Sequence, residues 1–327
     1  MNRVIGLGFA IFVALAASFA FSARKLPPMP LTETHIGKAL LLDTQRTGQR
    51  LVTVGEHGYI FVSDNEGDLW RLTPTATDAT LTSVAFADVQ LGLAVGHDAT
   101  ILRSVDGGSS WQKVFSDVEQ LRPLLRVMFI DKQRAIAVGA YGAYFESMDG
   151  GATWTERKIS EEDRHFNALT RLTDGTLLLA GEAGTLLRSG DDGAQWEKLA
   201  SPYTGSFFGL LPLAQGGVLA FGMRGNIFRS DDRGASWQAA TADSENALFG
   251  GLTNDSGLVV LVGQNGTVLV SRDDGRTFKR VATQASRALS SVQRPLQQAV
   301  EKNGGDTILV FGDGGPTRIV LPPGSRP

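Results

Sequence analysis

Six copies of one eight-residue frame run along this chain of 327 residues: SDNEGDLW from Ser63, SVDGGSSW from Ser104, SMDGGATW from Ser147, SGDDGAQW from Ser189, SDDRGASW from Ser230 and SRDDGRTF from Ser271. Successive starts lie 41, 43, 42, 41 and 41 residues apart. All five tryptophans, Trp70, Trp111, Trp154, Trp196 and Trp237, close a copy, and Phe278 closes the sixth. Regularity of this kind means one supersecondary unit stacked on its own copies, each unit unable to bury its apolar face alone.

A second landmark precedes each frame, a short apolar run ending in glycine: Gly55, Gly96, Gly139, Gly181, Gly222 and Gly263, with a seventh at Gly312 that has no frame after it. Before these runs lie further apolar or alternating stretches, such as LTSVAFAD from Leu81 and LLRVMFID from Leu124. Each unit therefore reads as four short strands separated by turn residues, and a period of this size with four strands is that of a β-propeller blade. The fold class expected is all-β: a seven-bladed propeller of four-stranded antiparallel blades. The seventh unit, with strands near 288–294, 307–312 and 316–321, ends one strand short. An unpaired edge is a liability, so the segment LPPMPLTET, residues 26–34, is expected to close the last blade as an N-terminal strand.

The frame itself has a mechanical reading. The acid accepts hydrogen bonds from backbone N–H groups of a turn, glycine supplies a positive φ, and the aromatic side chain folds back as an apolar plug. Asp106, Asp149, Asp191, Asp232 and Asp273 hold the acidic position, and Asn65 stands there in the first copy. A feature present in six blades is a structural staple rather than a site. The frame joins the third and fourth strands, on the face opposite the turns between the second and third, so any shared site belongs near the axis or on that opposite face.

A formal charge of −3 gives no basic face for nucleic acid. Cysteine is absent, which removes disulfides, thiolate metal ligands and a catalytic thiol. The run VIGLGFAIFVALAASFAF, residues 4–21, follows a single arginine and reads as an export signal, either cleaved or retained as an anchor. The domain division expected is a signal or anchor over residues 1–23 and one propeller over 24–327, placed outside the cytoplasm in a periplasm or a lumen-like compartment.

The frames resemble the Asp-box, or bacterial neuraminidase repeat, found in sialidases and in several non-enzymatic propellers. The fuller unit, AVGxxGxxxxSxDGGxxW as it stands from Ala137 to Trp154, looks more like the photosystem II assembly and stability factors of the Ycf48/HCF136 type. That resemblance spans about residues 30–322. It implies an exported, non-catalytic propeller that assists a membrane protein complex, either a photosystem or another client such as a transporter; the propeller itself is expected to be a monomer. No cofactor, metal or small-molecule substrate is implied.

The alternative is a carbohydrate-binding or sialidase-like hydrolase. A sialidase needs three convergent arginines, a tyrosine nucleophile beside a glutamate, and an aspartic acid. The tyrosines here are Tyr59, Tyr141, Tyr144 and Tyr203. Arg103, Arg188 and Arg229 occupy one repeat position just before a frame and are expected to be directed around the ring, not inward. His57 and His97, with Glu56 and Asp98 beside them, read as solvated turn residues rather than a metal site. The short connections between blades predict a broad, shallow face suited to a protein partner. Candidate contacts are the turn residues between second and third strands: Glu56, His57, His97, Asp98, Tyr141, Glu182, Arg224, Gln264 and Asn265. About eight extra residues around LQQAVEKNGGD, 296–306, lengthen the last unit.

Overall fold

The computed structural model describes residues 35–296 and 306–323, together with Gly6, Gly8, Phe12 and Val13. Residues 1–34 form a unit separate from 35–327, and the four described residues in it are helical. The proposed signal segment otherwise lies outside the described residues. No helix among the described residues is long and apolar enough to cross a membrane.

Seven blades follow one another along the second unit. Blade one comprises Leu41–Thr47, Arg50–Gly55, Ile60–Ser63 and Arg71–Thr73, paired antiparallel in chain order. The same four-strand order repeats in blades two to six, whose first strands are Leu81–Phe86, Leu124–Phe129, Phe166–Arg171, Phe207–Pro212 and Leu248–Thr253. Blade seven has three strands among the described residues, Leu289–Gln293, Thr307–Gly312 and Thr317–Val320. The segment expected to close it, residues 26–34, lies outside the described residues, as does most of the extra loop. One pairing has no sequence signal: Thr241–Ala242, in the connection after blade five, runs parallel to Thr277 and Phe278 and adds a fifth strand to blade six.

Second strands are buried along nearly their whole length, which explains their unbroken apolar runs. Alternate side chains of a blade face its two neighbours. Val52 and Val54 therefore pack towards blade two, whereas Leu51 packs towards blade seven. Apolar clusters fill every junction between blades, including that between blades seven and one, where Leu41, Leu51, Phe61, Leu309 and Phe311 meet. Polar links cross the same junction: Gln293 Nε2 donates to Thr44 O (2.6 Å), and Arg318 to Glu66 O and Asp68 (both 2.7 Å).

The glycine ending each second strand is explained by crowding. A Cβ on Gly55 would lie 2.0 Å from Leu40 O, and one on Gly139 2.1 Å from Pro123 O. Those carbonyls accept the N–H of the residue after the glycine, Glu56 and Ala140 respectively, which fixes the start of the first strand against the end of the second.

Candidate functional site

Every box is closed on itself and on the preceding blade. In each copy the serine Oγ accepts the N–H of the glycine four residues on, at 2.8 to 2.9 Å. The same hydroxyl bonds the acid or Asn65 two residues on. The acid's Oδ1 accepts the N–H four residues beyond it, and in four copies Oδ2 accepts the hydroxyl of Ser110, Thr153, Ser236 or Thr277 at 2.6 Å. These bonds hold the carboxyls below the usual range. The Thr153 hydroxyl leads at Asp149, bringing it to about 2; Ser236 leads at Asp232 and the Gln195 N–H at Asp191. At Asp106 and Asp273 burial pushes upward and is outweighed by bonds from Ser110 and Ser271 respectively. Carboxylates so occupied are turn staples.

The aromatic plug and the turn carbonyls reach the blade before. Trp111 packs with Val52 and Leu102 in the junction of blades one and two, and Trp70 meets Phe311 of blade seven edge-on at 5.8 Å. Four tryptophans donate Nε1 to the box glycine carbonyl, while Trp196 turns to Tyr144 Oη. An arginine from the preceding blade donates to each box turn: Arg318 to Glu66 O, Arg50 to Gly107 O, Arg103 to Gly150 O, Arg157 to Gly193 O, Arg188 to Arg233 O and Arg229 to Asp274 O. Arg103, Arg188 and Arg229 do run around the ring as expected, and their task is to latch one blade to the next.

On the opposite face, blades one and three to six each turn between second and third strands through one 3-10 turn with a left-handed residue at its tip: His57, Tyr141, Ala183, Arg224 and Asn265. In blade two the left-handed pair is Asp98 and Ala99. Of the candidate contacts, His57, His97, Tyr141, Arg224, Gln264 and Asn265 are exposed. Asp98 is half-buried, as are Glu56 and Glu182, which have structural work: Glu56 Oε1 accepts Leu40 N–H at 2.8 Å, and Glu182 Oε2 accepts His165 N–H at 3.3 Å. Tyr141 stands out with 57% exposure and its ring edge-on to His165 at 4.8 Å, while its N–H donates to His165 Nδ1. The two lie in adjacent blades, 24 residues apart, so nothing in the sequence pairs them.

At the centre of the ring, every first strand carries a one-residue bulge after its first residue. The bulged residues, Leu42, Thr82, Leu125, Asn167, Phe208, Phe249 and Ser290, all line one axial cavity of about 450 Å³. Bulges redirect a side chain out of the pleat. Thr82, Asn167 and Ser290 spend this freedom on the next blade, donating to Leu124 O, Phe207 O and Leu41 O. The other four are apolar, and Phe208 and Phe249 stand side by side with centroids 5.7 Å apart. One residue deeper, Asp43 and Arg126 pair at 3.3 Å. The short blade connections suggested a shallow face only; the cavity comes from small and unequal residues around the axis, a feature no single repeat unit displays.

Tyr144 is not placed as the nucleophile of a sialidase. Tyr144 does donate to a glutamate, Glu146 Oε1 at 2.9 Å, with the Arg157 guanidinium 5.2 Å from its ring centre. It is fully buried between blades three and four, however, and burial, joined by the charge of Glu146, pushes its phenol well above the usual range. A nucleophile requires the reverse. Among the described residues no three His, Asp or Glu side chains gather as a metal site.

The family model described as photosynthesis system II assembly factor YCF48 matches residues 115–260. Among solved structures, one described as YCF48 bound to D1 peptide is 18% identical with a TM-score of 0.65, covering 87% of this chain and 94% of that one. YCF48 from Cyanidioschyzon merolae is 15% identical with a TM-score of 0.67, covering 86% and 96%. The WD40 propeller domain of Doa1 is equally similar, 15% identical with a TM-score of 0.66, covering 86% and 93%, so the structural likeness speaks to fold. No curated protein matches the chain. The chain is thus a seven-bladed propeller whose residues 115–260 are similar to the YCF48 family model.

Proposed function

We propose that this protein is a non-catalytic assembly or stability factor that docks on a membrane protein complex through the face carrying the turns between second and third strands. The observation that carries the reading is the YCF48 family match over residues 115–260, which spans blades three, four and five whole and the start of blade six. The relative bound to D1 peptide supports a polypeptide ligand for such a propeller. The face fits the role: it presents His57, His97, Tyr141, Arg224, Gln264 and Asn265 to solvent, whereas the boxes opposite are consumed in holding blades together. Glu56, Asp98 and Glu182 lie at its half-buried base. The apolar run at residues 4–21 supports export to a periplasm or lumen-like compartment, with the propeller acting as a monomer. The client is a photosystem-like complex or a transporter.

Capture on the immobilised propeller from detergent-solubilised membranes tests this. A membrane polypeptide should be recovered recurrently and lost with a Tyr141→Ala, Arg224→Ala double variant. Recovery of soluble proteins alone would sink the reading. Turnover of a fluorogenic sialoside would instead favour the hydrolase.

A further inference from the structure

We infer that the axial cavity is a ligand site for an apolar or aromatic group bearing a carboxylate. Three observations converge on it. Phe249 is 37% exposed within the cavity and Phe208 lies beside it, though neither is needed to bond a neighbouring blade as Thr82, Asn167 and Ser290 are. An aromatic pair left facing solvent is unused apolar surface that a bound group would cover. Beneath the pair, Ala168, Gly209 and Gly250 leave the wall low, and the volume of about 450 Å³ falls in the range of small-ligand pockets.

The third observation is Arg126. Blade three stands opposite blades six and seven in a ring of seven, so Arg126 faces Phe249 across the axis. Its side chain is 45% exposed and touches Asp43 through Nη1 alone, at 3.3 Å. Asp43 is already served: Oδ1 accepts Thr44 N–H, and Oδ2 accepts the Ser83 hydroxyl and Val84 N–H. Among the described residues the Nε and Nη2 groups of Arg126 have no acceptor. A guanidinium with one free edge matches a carboxylate in two parallel bonds. The cavity is thus lined by an aromatic wall and a cation together, and the matching chemistry is offered by a free aryl or alkyl acid or by a polypeptide end with an apolar last residue.

The test is titration calorimetry of the full chain with 3-phenylpropionate, with 3-phenylpropionamide, and with N-acetyl-Ala-Ala-Phe as free acid and as amide. Each acid is expected to bind about tenfold or more tighter than its amide. Arg126→Gln should erase that difference with the melting temperature held, and Phe249→Ala should weaken acid and amide alike. Tighter binding of the peptide acid than of phenylpropionate names a chain end as the source, and the reverse names a free acid; both outcomes support the site. Equal binding of acid and amide, or an acid preference that survives Arg126→Gln, overturns it, as does absence of binding by all four probes. None of these results depends on the membrane client, so this site and the proposed docking function stand or fall separately.

Discussion

Asp149 accepts four hydrogen bonds, from the Ser147 hydroxyl, the Ala152 and Thr153 N–H groups and the Thr153 hydroxyl, and those bonds favour its charged form. A carboxyl whose pKa is lowered on folding contributes stability above its unfolded pKa, near 4, and the contribution disappears as pH falls through the folded value, about 2 for Asp149. The other four box aspartates are lowered in the same sense. The melting temperature is therefore expected to be flat from pH 7 to about 5 and to drop between about 4 and 2. Asn substitution at Asp149 should shrink that drop; a melting temperature unchanged down to pH 2 would contradict the role given to the boxes. A second residue, Ala99, sits at φ 46° and is buried where other blades place Gly58, Gly142, Gly184, Gly225 or Gly266. Left-handed alanine is strained, so Ala99→Gly should stabilise by a few tenths to about 1 kcal/mol in denaturant unfolding. Gly58→Ala should destabilise by about 2 kcal/mol or more, because its Cβ would lie 2.1 Å from Thr77 O. The box was legible in the sequence because its roles fall on fixed residue types. Ala99 was not, since a positive φ leaves no mark on an alanine.

At the scale of the element, the box proves to be a junction as well as a hairpin staple. Its aromatic residue and its turn carbonyls both engage the blade before it, which the spacing of the repeat could not reveal because the partners lie 36 or more residues away. The latches differ in cost. Arg229 is buried with Asp274, both side chains under 10% exposed and paired at 2.9 Å, so Arg229→Met strands a buried carboxylate and should cost about 3 kcal/mol or more. Arg188 donates to a carbonyl and to Glu197, which is 62% exposed, and Arg188→Met should cost under about 1 kcal/mol. Chemical denaturation of the two variants separates them, and equal losses would mean that burial of the pair is not what sets the value. The bulges of the first strands were invisible in the sequence for another reason: Leu42, Thr82, Leu125, Asn167, Phe208, Phe249 and Ser290 share a position but no residue type.

For the whole molecule, the period and the seventh glycine run were enough to count blades, and the observed strands of blade seven fall within a residue of the expected ones. What the count left open was the use of the faces. The ring has one face whose turns are tied into the blade junctions and another whose tips are exposed, and the docking role is assigned to the second. Site-specific photo-cross-linking on membranes tests that assignment most directly, with the photoreactive residue placed at Tyr141 or Arg224 on one face and at Ala152, in a box turn, on the other. The expected result is a cross-link to a membrane polypeptide from Tyr141 and Arg224 and none from Ala152. Cross-links from Ala152 alone, or from no position, would contradict it.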